Sequence, residues 1–287
     1  MKLKFQYLPI YLLFGIFLIS NIYQFSEILA YFRIMKAHEK KHLTDYFKDS
    51  KSFSRKDLQQ YFARTEGEIK EGTLGWRIYD LKKKNVIREV KRGFYTLDTK
   101  PVYIPVIDDT LIKLSEIFTA SYHKAAYCLW NIDWLNEFTI HQFRRDNVIF
   151  EIEKDLVESM ANKLLEQGYT SIINNIQGIL LSFTSPVIPI IFQPLISRAP
   201  VQKSNSSGDV SVSVPTLEKI LVDIYANGNI FQFVQGSELQ NIFTHAIDRY
   251  SINYTTLFGY AKRRGKERDL RAFIKRLLPE DLKTITQ

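Results

Sequence analysis

The chain has 287 residues, of which 45% are apolar and 24% charged; this excludes wholesale disorder and a multi-span membrane protein and leaves room for two domains. Its formal net charge of +8 directs attention to anionic partners. The single cysteine, Cys128, excludes an intramolecular disulfide framework and a Cys-rich zinc ribbon and suits a reducing compartment, and His38, His42, His123, His141 and His245 lack any ligand spacing, so no metal or cofactor signature is present.

The charge is unevenly spread. Residues 51–100 carry 13 basic and seven acidic side chains, residues 101–251 carry 10 and 16, and residues 252–287 carry nine and four. Two basic regions therefore flank an acidic middle, a distribution that a nucleic-acid contact surface joined to a different module would produce.

Residues 1–34 form an apolar N-terminal segment. Between Lys4 and Glu27 there are 22 uncharged residues, about the length that crosses a bilayer, while Glu27-Ile-Leu-Ala is a poor signal-peptide cleavage site. Three readings stay open: a mis-assigned start preceding a natural one at Met35, a membrane anchor on the inner face of the membrane, or a buried helix. The first places the protein in the cytoplasm, and a membrane partner arises only if this segment is genuine.

Residues 35–100 read as a compact basic domain. A helix is expected over residues 38–47. Ser54 and Asp57 have the spacing of a capping box, with Phe53 and Leu58 flanking it, ahead of a helix from Arg55 to about Ala63. A third helix is expected from Gly72 to Lys84, burying Leu74, Ile78 and Leu81 and exposing Thr73, Trp76, Arg77, Asp80, Lys83 and Lys84, with Asn85 as its stop. Two β-type runs, residues 86–90 and 93–97, join through Lys91-Arg92-Gly93. Three helices and a basic hairpin are the plan of a winged helix-turn-helix. Arg77 is expected at guanine acceptors, Thr73 at a base edge or a phosphate, Trp76 either on DNA or packed against the wing or the next domain, and Lys91 and Arg92 on phosphates, with Ser54, Lys83 and Lys84 as further DNA-binding candidates.

Leu81, Asn85, Ile87, Arg92, Gly93 and Tyr95, within the run from Leu74 to Tyr95, resemble the recognition helix and wing of the AbiEi-type antitoxins of type IV toxin–antitoxin (abortive infection, phage defence) systems. Pro215 to Asp223 and Tyr250 to Arg264 are similar to later segments of the same family. The resemblance covers nearly everything from Met35 onward and looks like a divergent branch, since the first helices depart from the serine and arginine spacing of the commonest members. It implies a non-enzymatic autorepressor that binds double-stranded DNA at its own promoter, on inverted repeats and as a homodimer or paired monomers. It also implies opposition to a nucleotidyltransferase-like toxin without obligatory direct contact.

Residues 101–287 read as a mixed α/β domain closed by a helical bundle, so the fold class expected overall is α/β. Helices are expected at 108–122 and 155–167, strands at 127–130, 148–153, 171–173, 178–183 and 187–192, and a flexible surface loop at 200–215. Four helices should follow, at 216–226, 237–249, 253–263 and 267–278, with Ser237 as an N-cap. The cations around Arg263 and Arg264 form a second candidate phosphate-facing patch. The alternative function is a metal-dependent nuclease or nucleotidyltransferase-like enzyme using Glu151 and Glu153, which alternate on one strand near His141, Arg144, Arg145 and Lys154. That reading lacks the further acid and the spaced lysine of a nuclease core.

Overall fold

The computed structural model describes residues 42–48, 50, 52–97, 100–142, 147–173, 189–205 and 211–278. The apolar segment 1–34 and the β-run expected at 178–183 lie outside the described residues. Among the described residues, no helix is long and apolar enough to cross a membrane. The chain divides between Val86 and Ile87 into two compact units, ahead of the domain boundary expected at residue 100.

In the first unit a helix over 42–46 (α1) places Leu43 in the core, and Phe47 stacks on Phe53 with centroids 4.0 Å apart. The extended pair Phe53–Ser54 (β1) leads into α2 (Arg55–Glu66). The capping box forms as its spacing predicts: the Asp57 N–H donates to the Ser54 hydroxyl oxygen at 3.2 Å, and the Ser54 N–H donates to the Asp57 carboxylate at 2.7 Å. Leu58, Tyr61 and Phe62 of α2 meet the same core as Leu74, Ile78 and Leu81 of α3 (Glu71–Lys83). At the end of α3 Asn85 adopts φ 53°, the Asn85 N–H bonds to the Lys82 carbonyl at 3.0 Å and the Val86 N–H to the Leu81 carbonyl at 2.9 Å. This pair of bonds satisfies the last helical carbonyls, and asparagine tolerates the left-handed backbone that it requires.

The second unit opens with the antiparallel hairpin β2 (Arg88–Lys91) and β3 (Phe94–Thr96), turned by Gly93 at φ 77°. Val90 is buried with the C-terminal helices, and the Arg92 N–H bonds to the Thr255 hydroxyl at 2.9 Å. The basic hairpin is thus fastened to the helical bundle of its own unit.

At the centre lies a four-stranded sheet of β4 (Tyr127–Asn131), β5 (Val148–Ile152), β6 (Ser171–Ile173) and β7 (Ile190–Pro194), ordered β4-β5-β7-β6. β4 is antiparallel to β5, whereas β5 and β6 both run parallel to β7. Parallel strands must be covered on both faces, which explains the apolar runs 148–150 in β5 and 190–192 in β7. On one face Leu129, Phe150 and Phe192 pack with Leu114 and Phe118 of α4 (Asp109–Ser121) and with Met160 and Leu164 of α5 (Val157–Glu166). On the other, Cys128, Trp130, Ile149 and Ile191 meet a bundle of α6 (Leu217–Ala226), α7 (Ser237–Arg249), α8 (Tyr254–Arg263) and α9 (Glu267–Leu277). The mixed α/β class with a terminal bundle is the class expected from the sequence.

Two expectations are corrected. Within the loop expected at 200–215 the chain forms β8 (Val201–Asn205) and β9 (Ser211–Pro215), an antiparallel pair with Val212 and Val214 wholly buried, while residues 206–210 lie outside the described residues. Serine content suggested a loop, yet Ser204 and Ser213 are small enough to be buried between strands, and the Ser213 N–H donates to the Tyr127 hydroxyl at 3.3 Å. Ser237 is the first residue of α7 rather than its cap, because Gly236, at φ 69°, occupies the N-cap position.

Phe150 sits fully buried at the middle of the sheet, against Phe118 and Phe192. Phe150→Ala should lower the unfolding free energy by about 3–5 kcal/mol, as large-to-small changes in close-packed cores do. Urea titration checks this, and a loss below about 1 kcal/mol would show that the sheet is not packed as described.

Candidate functional site

The residues expected to contact DNA fall into three groups. Thr73, Trp76 and Lys83 are exposed and share a face of α3 at helical spacing, Trp76 with 61% of its surface open. Tyr79, not anticipated from the sequence, stands beside them at 62%. Its position off the apolar stripe was the available signal. Other members of the expected face are engaged within the unit. The Arg77 guanidinium pairs with Glu66 at 2.7 Å and lies 5.9 Å from the Phe62 ring centre, and Lys84 pairs with Asp80. Ser54 serves as the half-buried cap of α2, its hydroxyl donating to Asp57 at 2.8 Å. What α3 offers outward is therefore two aromatic rings, a hydroxyl and a lysine.

Lys91 and Arg92 belong to the hairpin of the second unit. Lys91 lies 5.6 Å from the Phe94 ring, and the Arg92 side chain is exposed. The C-terminal cations separate in role. Lys262, Arg268 and Lys275 are exposed, Arg271 pairs with Glu267 at 2.9 Å over the Phe258 ring, and Arg263 donates to the Arg198 carbonyl at 2.7 Å. Arg264 turns inward, donating to the Asn227 side-chain oxygen at 2.5 Å and lying 3.6 Å from Asp223.

Arg264 points at a charge centre that the sequence reading missed. Lys219, on α6, has no exposed surface; its ammonium bonds to Glu151 on β5 and, at 2.5 Å, to Asp223 one helical turn further on. Tyr260 on α8 donates to the other Asp223 oxygen at 2.9 Å, and the Trp130 indole N–H reaches Glu151 at 3.4 Å. Burial alone would push Lys219 down, but the Asp223 and Glu151 carboxylates outweigh it and hold the lysine charged. Burial pushes Glu151 up, countered by Lys219. Burial also pushes the neighbouring Cys128 thiol well up, so it remains unreactive. The signal was present: a lysine and an aspartate at i, i+4 within Leu-Glu-Lys-Ile-Leu-Val-Asp, and one glutamate inside Val-Ile-Phe-Glu-Ile. The adjoining cavity of about 10 Å³ has room for one water and no substrate.

Glu151 and Glu153 do not share a face. Glu151 faces the bundle and is bound by Lys219, whereas β5 ends at Ile152 and leaves Glu153 exposed beyond it. Arg144 and Arg145 lie outside the described residues. Among the described residues, no three His, Cys, Asp or Glu side chains gather to hold a metal ion.

The molecule is a mixed α/β protein whose sheet is locked to a helical bundle by a buried ionic centre. The chain belongs to a family of unknown function, DUF6577, which matches residues 73–280. The match begins within α3 and takes in the hairpin, the sheet, the ionic centre and the bundle. Comparison with curated proteins found no match.

Lys219→Met leaves Glu151 and Asp223 buried without a cation and should cost about 3–5 kcal/mol in urea unfolding, whereas a loss under about 1 kcal/mol would contradict the ionic centre. A second test uses pH. Burial pushes Tyr103, Tyr254 and Tyr260 up from 10.0, and Tyr250 is pushed up to about 12, mainly by its hydrogen bond to Glu137. Raised folded values mean that stability is complete below the unfolded tyrosine value and declines above it, and raised Lys219 contributes with the same sign. The urea midpoint should hold between about pH 7 and 9 and fall above about pH 10, less steeply in Tyr260→Phe. A fall already complete by about pH 9 would exclude these groups as its cause.

Proposed function

We propose that the chain is a sequence-specific DNA-binding autorepressor of the AbiEi antitoxin type. In this reading α1 to α3 and the β2–β3 hairpin act as a winged helix-turn-helix, with α3 in the major groove. The supporting observation is the outward face of α3, where Trp76 and Tyr79 are both more than half open to solvent beside Thr73 and Lys83. Large exposed aromatics flanked by a cation are costly to leave in water and suit a contact surface. The end of α3 carries Lys82, Lys83 and Lys84, of which Lys82 and Lys83 are exposed, so the helix brings phosphate-neutralising charge to the same end.

The Glu66 pairing of Arg77 changes the expected division of labour. Thr73, Trp76 and Tyr79 take the base and sugar contacts, Lys83, Lys91 and Arg92 take phosphates, and Arg77 orients α3 against α2. The rest of the reading follows from the resemblance: action in the cytoplasm on the protein's own promoter, binding to inverted repeats as a homodimer or paired monomers, and opposition to a nucleotidyltransferase-class toxin without catalysis by this chain. The commitment of Glu151 to Lys219, with Glu153 beyond the end of β5, weighs against the metal-dependent enzyme reading.

Fluorescence anisotropy with the duplex upstream of the coding sequence tests this proposal. Binding should weaken linearly with the logarithm of salt concentration, and Lys83→Ala should reduce the slope by about 0.9. Trp76→Ala should weaken binding to the upstream duplex more than binding to a scrambled one. Equal affinity for both duplexes with the unaltered protein would overturn the proposal.

A further inference from the structure

We propose that the second unit carries a nucleotide-binding groove at the carboxyl ends of β5 and β7, separate from α3 and independent of the DNA-binding reading. The groove encloses about 620 Å³, within the range of small-molecule sites, and its walls include Ala125, Tyr127, Glu153, Ile196, Arg198 and Lys203. Its position follows from the topology. β5 and β7 run parallel and end side by side, where the Leu195 N–H bonds to the Ile152 carbonyl at 2.8 Å. In open α/β sheets the crevice beyond the carboxyl ends of parallel strands is the usual place for a ligand.

The charges specify the ligand. Among the described residues, the Arg198 and Lys203 side chains have no carboxylate partner, although both are exposed at this groove in the acidic part of the chain. Lys203 is placed by the Tyr127 ring, 5.5 Å from its ammonium. Arg198 holds φ 55°, a left-handed conformation that a long side chain seldom adopts; the Arg263 guanidinium bonds to its carbonyl at 2.7 Å and brings a third cation beside the loop. Two unpaired cations, with a third next to them, suit a phosphate group. Tyr127, Leu195, Ile196 and Val201 supply an apolar wall of the extent that a base covers, and the exposed Glu153 carboxylate is free to accept hydrogen bonds from ribose hydroxyls. Phosphate, sugar and base each find a matching surface, which a bare phosphate would not use.

The experiment titrates the full-length protein with ATP carrying a fluorophore on its γ-phosphate, which leaves the ribose hydroxyls and the base free. Saturable binding should appear and be displaced by ATP or AMP. Arg198→Gly, which relieves the left-handed backbone while removing the cation, and Lys203→Ala should each weaken binding about tenfold while the protein stays folded, with a cooperative thermal transition retained. Absence of saturable binding overturns the proposal. So does binding unaffected by either substitution, displacement by adenosine as readily as by AMP, displacement by inorganic phosphate as readily as by AMP, or displacement by a single-stranded octanucleotide alone.

Discussion

Burying Lys219 requires the carboxylates of Glu151 and Asp223, and the arrangement of the second unit follows from meeting that requirement. An ammonium removed from water loses solvation worth several kcal/mol, which only close, well-directed opposite charges can offset. Glu151 comes from the sheet and Asp223 from the same helix as the lysine, so the contact sets the position of α6 on β5. Tyr260 on α8 and Arg264 just beyond it then meet at the remaining oxygen of Asp223. Two carboxylates and two cations leave the interior without net charge, and the apolar side chains around them close on a single arrangement of sheet and bundle. Well-packed apolar residues of similar volume would hold the layers together at least as well, whereas removing one partner from this centre would leave a buried charge uncompensated.

That commitment of charged groups also sorts the surface. Arg264, Glu151 and Asp223 are taken up inside, and Arg271 is held by Glu267 and the Phe258 ring. Exposed cations remain in several places, among them Lys83 on α3, Arg92 on the hairpin, Lys262, Arg268 and Lys275 along the terminal helices, Arg198 and Lys203 at the strand ends, and Lys56, Lys113, Lys124 and Lys154 elsewhere.

Much of the fold could be read from the residues, for identifiable reasons. The capping box at Ser54 and Asp57, the stripe of Leu74, Ile78 and Leu81 and the stop at Asn85 are local signals, complete within a few residues, and each formed as read. The strands β8 and β9 were misread because Ser204 and Ser213 are buried within the folded unit, information that composition does not hold. The same limit applied to the site. Thr73, Trp76 and Lys83 could be placed outward from helical period alone, but the capture of Arg77 by Glu66 and of Arg264 by Asn227 depends on neighbours that only folding supplies. Lys219 shows the reverse case, in which a charge amid apolar residues was itself the signal.

The central claim is that the exposed face of α3 is where the protein meets duplex DNA while the sheet and bundle stay locked by their ionic centre. Hydrogen exchange of the full-length chain, with and without the duplex from its own upstream region, tests this most directly. The account predicts slowed exchange across residues 71–84 and 91–93, with unchanged exchange in β5 and α6. Unaltered exchange in α3 on a duplex that the protein demonstrably binds, with protection confined to the bundle, would contradict it.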